Sequence, residues 1–394
     1  MRIGIVVSNF RYPPSEGIEV QLIDLVNYFR AEGHEVDIIA LESRGAETCK
    51  KKIFSLGDGV LFKTRFSYKI QAMISIIHLL TGGVSVSFFP RDREIRARVR
   101  KWLNNKDSIY IQGVALAWIP SLIRSNHIVW GPVDAYSLRS IRIAKYLKFT
   151  GIYKRLLSSI EKRACLFLES RAIRSSKYTY VCGFEDARFL SLMHRSNSIR
   201  SIPLLGMADV INSSEIKRYT NRRVVLWADF RINYLFRSGL KCLDVLSESC
   251  QKIGLELIIL GQGSADLCRE FGENRAPVHF LEWVEDLDSY LSESVAIVLP
   301  DEVGTGIKNR AIYAMGSGCV VLGKSAAFQS IPAISRSHCI QLNSWSKLED
   351  ELNYILDSFS ESARIRSNAA LLIEDYNSSS KIIKSWEQLL SPTN

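Results

Sequence analysis

Paired cysteines are missing from this sequence. Its eight cysteines, at positions 49, 165, 182, 242, 250, 268, 319 and 339, stand apart, with no Cys-x-x-Cys among them. That excludes a zinc ribbon and a thioredoxin-like motif. A chain of 394 residues needs no disulfide staples, so free thiols in a reducing cytosol are expected. Long hydrophobic runs are missing too. The longest apolar stretch, residues 70–90, is broken by His78 and by Gly82-Gly83. Its run up to Leu80 is too short to span a bilayer, and it reads as a buried or interfacial helix, a turn and a strand. The opening MRIGIVVSNF has too short an apolar run for a signal peptide. No G-x-G-x-x-G follows the first strand, which disfavours a dinucleotide dehydrogenase. No recognised nucleic-acid module is present, so nucleic acid is not an expected partner.

What is present is an excess of positive charge. Lys and Arg number 51 against 41 Asp and Glu, a net charge of +10. The balance fits anionic partners, whether nucleotide phosphates or acidic lipid headgroups; a basic but inert surface is the alternative. The apolar fraction of 47% is enough for two buried cores.

The pattern along the chain is α/β. RIGIVVSNF is a compact run suited to a buried parallel strand. After the loop RYPPSEG, apolar residues from Ile18 to Phe29 recur at helical spacing, and Gly33 is a C-cap candidate. EVDIIAL is the next strand, so a βαβ unit opens a doubly wound sheet. Strands are expected at 108–113, 127–132 and 178–183, with a long basic helical region over 138–176. A second series begins with RVVLWADF, a helix over 240–253, LELIILGQG, VHFLEW and VAIVLP. It continues with the helix-like KNRAIYAMGSG and the strand CVVLGK. The polar segment 211–223 reads as the linker and 375–390 as a terminal helix. The expected domains are 1–210, with the last helix (375–394) packing back onto it, and 211–374.

Several segments, in order, carry a family resemblance. SNFRYPPSEGIEVQLIDLVNYFRAEGHEVDIIA resembles the amino-terminal signature of family-4 retaining glycosyltransferases. KYTYVCGFEDARFL with IPLLGMAD, LELIILGQGS, VHFLEWVEDLDSYLSESVAIVLP and GTGIKNRAIYAMGSGCVVLG are similar to that family's later motifs. The match runs over nearly the whole chain. It implies the GT-B architecture, two Rossmann-like doubly wound domains facing a cleft. It also implies a hexosyltransferase that moves a sugar from a nucleotide-sugar donor with retention. The acceptor would be lipid-linked or saccharide, in surface polysaccharide or glycolipid synthesis.

Such a donor carries a diphosphate leaving group, whose charge must be met by metal, cationic side chains or helix N-termini. No Asp-x-Asp stands in a suitable loop, and Asp244 and Asp301 stand alone; no metal and no cofactor are expected. The cations expected on the diphosphate are Arg231, after the first strand of the second domain, Arg237, before Gly239, and Lys308 in GTGIKN. Each is otherwise a solvated surface charge. Gly304, Thr305, Gly306, Ile307 and Asn309 surround Lys308, and their backbone can approach phosphate. Gly17 stands at the mouth of the first helix, as a diphosphate contact or a plain turn glycine. Gly261 and Gly263 of the LGQGS turn, with Trp283 and Val284, are candidates for holding the base; Trp283 is otherwise a core residue. Asp134, after a strand's carboxyl end, would touch donor sugar or acceptor, or else cap a helix.

The sequence also departs from the family. The two carboxylates expected to hold the donor ribose fall on Thr305 and Tyr313, and Glu302 or Asp301 is the nearest substitute. A phenol cannot accept two ribose hydroxyls as a carboxylate does. A catalytically silent sugar-nucleotide or partner-binding subunit is therefore an alternative, as is a sugar-nucleotide epimerase. The basic, aromatic-rich KYLKFTGIYKRLLSSIEKR suits an anionic membrane surface. The expected location is cytoplasmic, peripheral at the inner face of the cytoplasmic membrane.

Overall fold

The computed structural model describes residues 1–7, 17–43, 60–64, 93–123, 127–147, 152–204, 221–272 and 278–392. Readings made on residues 70–90 and on 211–220 fall outside these. The chain divides into two compact units, Met1–Gly206 with Ser379–Asn394, and Met207–Ser378.

The first unit runs β1 (Arg2–Val7), α1 (Gly17–Ala31), β2 (Glu35–Ser43), β3 (Val60–Thr64), α2 (Arg93–Leu103) and β4 (Ser108–Gln112). It continues β5 (Ile128–Val133), α3 (Tyr136–Leu147), α4 (Ile152–Ser175), β6 (Tyr178–Val181), α5 (Phe184–His194) and β7 (Ile199–Ser201). Its seven strands are ordered β3-β2-β1-β4-β5-β6-β7, all parallel. Five consecutive residues of β1, from Ile3 to Val7, are buried. A strand covered on both faces has no reason to alternate, so its apolar run is continuous. Past the end of α1, Gly33 takes φ 77°. That left-handed turn lets His34 N–H bond back to the Phe29 carbonyl at 2.9 Å, satisfying an open helix end.

The second unit runs β8 (Arg223–Trp227), α6 (Asn233–Ile253), β9 (Glu256–Leu260), α7 (Ser264–Phe271), β10 (Val278–Leu281), α8 (Leu287–Ser292) and β11 (Ala296–Leu299). It continues α9 (Asn309–Gly316), β12 (Val321–Gly323), β13 (Ile340–Gln341), α10 (Leu348–Asp357) and α11 (Phe359–Tyr376). The order β10-β9-β8-β11-β12-β13, again all parallel, is the 3-2-1-4-5-6 order of a nucleotide-binding sheet. Val224, Leu226, Leu243, Leu246 and Ile259 belong to the core on one side of this sheet. Val225, Ile258, Ile297 and Met315 belong to the core on the other.

Three expected helices have different bounds. α6 starts at Asn233, not 240, because Tyr234 and Leu235 already supply its buried face. The basic region over 138–176 is two helices, α3 and α4. The terminal helix is α12 (Ser379–Leu390); residues 375 and 376 still belong to α11. No helix among the described residues is long and apolar enough to cross a membrane.

Candidate functional site

Strand order in the second unit reverses between β8 and β11, and α/β sheets bind ligands outside the carboxyl ends of their strands at such a point. The loops after β8, β9, β10 and β11 carry Arg231, Gly261 with Gly263, Trp283 with Val284, and residues 301–308, respectively.

The Arg231 loop is built by its own carboxylate. Asp229 accepts from the Arg231 guanidinium at 2.9 and 2.7 Å and from the Arg231 N–H at 3.1 Å. Burial pushes the Asp229 carboxyl up, but these Arg231 bonds outweigh it and hold it below the ordinary carboxylate range. Arg310 adds its charge in the same direction. Arg310 itself donates to both oxygens of Asp301 at 3.3 and 3.2 Å, and Asp301 is 1% exposed. Charges therefore alternate from Arg231 through Asp229 and Arg310 to Asp301, joining the loops that flank the switch point. The sequence reading missed Arg310 and Asp229. Nothing in their spacing marks them, because Asp229, after β8, and Arg310, on α9, stand about 80 residues apart in sequence.

Lys308 folds back so that its ammonium donates to the Thr305 carbonyl at 2.7 Å. Gly304 (φ 149°) and Gly306 (φ 68°) shape this loop. A Cβ on Gly304 would lie 2.9 Å from the Lys308 Nζ, so the glycine makes room for the lysine. Ile307 packs against the core. Asn309 opens α9. The Thr305 Oγ1 and the Asn309 Oδ1 are buried with no hydrogen-bond partner. Buried polar atoms rarely stay unsatisfied; the Thr305 hydroxyl, beside a lysine and a helix N-terminus, can donate to an anion, whereas the Asn309 amide oxygen calls for a donor.

The other candidates have local explanations. A Cβ on Gly261 (φ 132°) would lie 1.8 Å from the Ala228 carbonyl oxygen, and one on Gly263 (φ 82°) 2.9 Å from the Arg231 nitrogen. Both glycines let the β9 turn approach the β8 loop. Trp283 is 75% exposed, so it is not a core residue; Val284 packs partly against the core beside it. Arg237 is exposed inside α6, not ahead of that helix. Glu302 is engaged by Lys324, by Trp345 Nε1 at 3.0 Å and by Lys241 at 3.5 Å. Tyr313 stacks edge-on with Trp227. Burial and a hydrogen bond to Asp288 push its phenol well up. The acidic run at 286–288 is structural in part: Asp286 caps α8 by accepting from Ser289 N–H at 3.0 Å, and Asp288 accepts from the Ser317 hydroxyl at 3.3 Å.

In the first unit, the switch point lies between β1 and β4. Gly17 is the first residue of α1, which follows β1. Asp134 follows Val133, whose φ of 77° is rare for a β-branched residue. The alternative reading of Asp134, a cap for the next helix, finds two of the N–H groups there bonded to other carboxylates. Ala135 N–H donates to Asp186 at 3.4 Å and Ser137 N–H to Glu169 at 3.0 Å. Burial first, then the Asp134 carboxylate, pushes the Cys182 thiol well up, so Cys182 is inert as a nucleophile.

No family model matches this chain, and no curated protein matches it. Solved structures do. Anabaena HepE in complex with UDP and glucose is 14% identical, covers 99% of each chain and superposes with a TM-score of 0.66. A variant of S. aureus TarM in complex with Fondaparinux, alpha-GlcNAc-glycerol and UDP is 10% identical over 99% of this chain and 100% of its own, at 0.66. WaaG, a glycosyltransferase involved in lipopolysaccharide biosynthesis, is 14% identical over 99% of this chain and 100% of its own, at 0.65. At such low identity these likenesses carry the architecture, and what they show is an α/β chain of two Rossmann-like domains with the GT-B fold of nucleotide-sugar-dependent glycosyltransferases.

Proposed function

We propose that this chain is a hexosyltransferase of the family-4 type, which moves a sugar from a nucleotide-sugar donor onto a saccharide or lipid-linked acceptor with retention of configuration. The observation that carries the reading is the loop from Gly304 to Asn309. It joins a lysine, two positive-φ glycines and two unsatisfied buried polar atoms at the start of a helix. A diphosphate offers acceptor oxygens to the Lys308 ammonium and the Thr305 hydroxyl, while the Asn309 amide oxygen, itself an acceptor, would take a hydroxyl of the donor. The Lys308 ammonium would exchange the Thr305 carbonyl for a phosphate oxygen, and Arg231 would add a guanidinium from the neighbouring loop. We assign charge neutralisation to these side chains and not to a metal ion. Asp134 is assigned to the sugar or acceptor in the first unit. HepE in complex with UDP and glucose, and TarM in complex with UDP and alpha-GlcNAc-glycerol, support a uridine donor, and the involvement of WaaG in lipopolysaccharide biosynthesis supports a surface-polysaccharide setting. Six buried free cysteines fit a reducing cytoplasm.

A silent binding subunit is the second reading, favoured by Tyr313, whose phenol is committed to Asp288. Calorimetry with UDP and UDP-glucose, followed by a turnover assay with and without chelator, separates the two. Lys308→Ala and Arg231→Ala should each weaken UDP binding by about tenfold or more, the worth of one charge-assisted hydrogen bond. Turnover unaffected by chelator and a product of unchanged anomeric configuration by NMR support the transferase; tight binding with no turnover supports the subunit. If both variants bind UDP as the parent does, the diphosphate lies elsewhere.

A further inference from the structure

Among the described residues, twelve large apolar side chains are exposed, and seven of them lie on α4 and α5. On α4 these are Ile152 (89% exposed), Leu156, Ile160 and Phe167 (63%). At 100° per residue the four fall within an arc of roughly 80° over about 23 Å of helix. They form one stripe turned away from the core side of α4, where Cys165, Leu168, Ala172 and Ile173 are packed. On α5 the exposed residues are Phe184, Leu192 and Met193. The two helices are neighbours, for Glu169 and His194 approach to 3.8 Å.

The exposed charge of α4 has one sign, and the partly exposed Glu185 of α5 is paired with Arg142 at 3.2 Å. Arg155, Lys162, Arg163, Arg171 and Arg174 of α4 are exposed, as is Arg188 of α5. The only carboxylates of α4 are Glu161 and Glu169, and both are buried at 6% and 0% exposure. Glu169 is occupied with Ser137, whose hydroxyl donates to it at 2.5 Å. An apolar stripe interspersed with and edged by Arg and Lys, with no exposed acid on its helix, has the chemistry of an interfacial helix. A second copy of the same face would bring at least five cations against five, which opposes self-association. Three of the four stripe residues on α4 are aliphatic, and aliphatic side chains offer no ring on which a nucleic-acid base can stack.

We infer that the outer face of α4, with the exposed apolar residues of α5, docks this protein on an anionic lipid bilayer. The inference stands on exposure and charge in the first unit and is independent of the donor site.

Vesicle sedimentation of the full chain tests it, using phosphatidylcholine alone or with a quarter phosphatidylglycerol, at low and high salt. The protein should pellet with the anionic vesicles and be released by salt. The Ile152→Gln/Leu156→Gln/Ile160→Gln variant should lose about tenfold or more in partitioning. The Arg155→Gln/Lys162→Gln/Arg163→Gln variant should lose about a hundredfold. All six positions are solvent-exposed, and an unchanged melting temperature and UDP affinity would show the variants folded. The inference is overturned if the parent stays in the supernatant with anionic vesicles or if the apolar variant pellets as the parent does. A dimer by light scattering that the apolar variant splits would also overturn it, since a second copy would then cover the stripe.

Discussion

Gly261 and Gly304 illustrate how one residue type serves two ends. Both sit in loops at the carboxyl ends of strands, with φ of 132° and 149°. What a side chain would meet differs. At Gly261 it is the Ala228 backbone carbonyl, 1.8 Å away, which moves only if β8 or its loop moves. At Gly304 it is the tip of Lys308, which swings easily. Gly261→Ala should therefore cost at least about 2 kcal/mol, from disfavoured backbone plus the displaced loop. In a unit of this size that lowers the melting temperature by about 4–8 °C. Calorimetric melting of the variant checks this, and an unchanged transition would mean that the β9 turn does not press on the β8 loop. From the sequence, Gly261 and Gly263 looked like glycines that admit a ligand. The structure gives them a nearer reason, the approach of protein backbone. Sequence marks that a glycine is needed but not which atom needs the space. Lys308 was legible because two glycines closely spaced just ahead of a lysine, Gly304 and Gly306, are unusual in a surface helix. Arg310 and Asp229 were not, because a charge chain between loops has no local signature.

At the scale of elements, β1, β4, β8, β9 and β11 were legible as dense apolar runs bounded by turns. β3, β7 and β13 were not, and the last of them pairs through two residues, Ile340 and Gln341. A strand so short has no period to read. α10 and α11 were also passed over. The closing helix α12 carries an aromatic contact that composition does not announce. Trp386 is fully buried, with its ring 5.1 Å from Tyr110 on β4 and 4.6 Å from Tyr180 on β6. Two polar ties hold the same helix: Tyr28 donates to Glu387 at 2.6 Å, and His127 meets the Leu389 carbonyl at 2.8 Å. Gly131 on β5 lies under this cluster, where a Cβ would come within 2.8 Å of Tyr110. Trp386→Ala should thus remove about 3–5 kcal/mol from the first unit, some ten degrees or more in its melting temperature. The second unit's transition should stay in place. Loss of both transitions together, or of neither, would contradict the assignment of α12 to the first unit alone.

The described residues form two sheets with separate cores, and the chain topology of the two units is unequal. The first unit is discontinuous, since its last helix returns after residue 378, whereas the second is one stretch, Met207–Ser378. Cores lie on both faces of that second sheet. Its strand order is complete within the stretch, and so is the chain of charges from Arg231 to Asp301. About 170 residues with two covered sheet faces bury enough surface to fold alone. A fragment of residues 207–378 should therefore melt cooperatively. On the proposed assignment of the diphosphate, it should also bind UDP within about tenfold of the full chain, because Lys308, Arg231, Thr305 and Asn309 all belong to it. Circular dichroism and calorimetry on the fragment read the two properties separately. A fragment that is unfolded would show that the second core depends on the first. A folded fragment that ignores UDP would place essential donor contacts in the first unit, where Gly17 and Asp134 are the residues to examine.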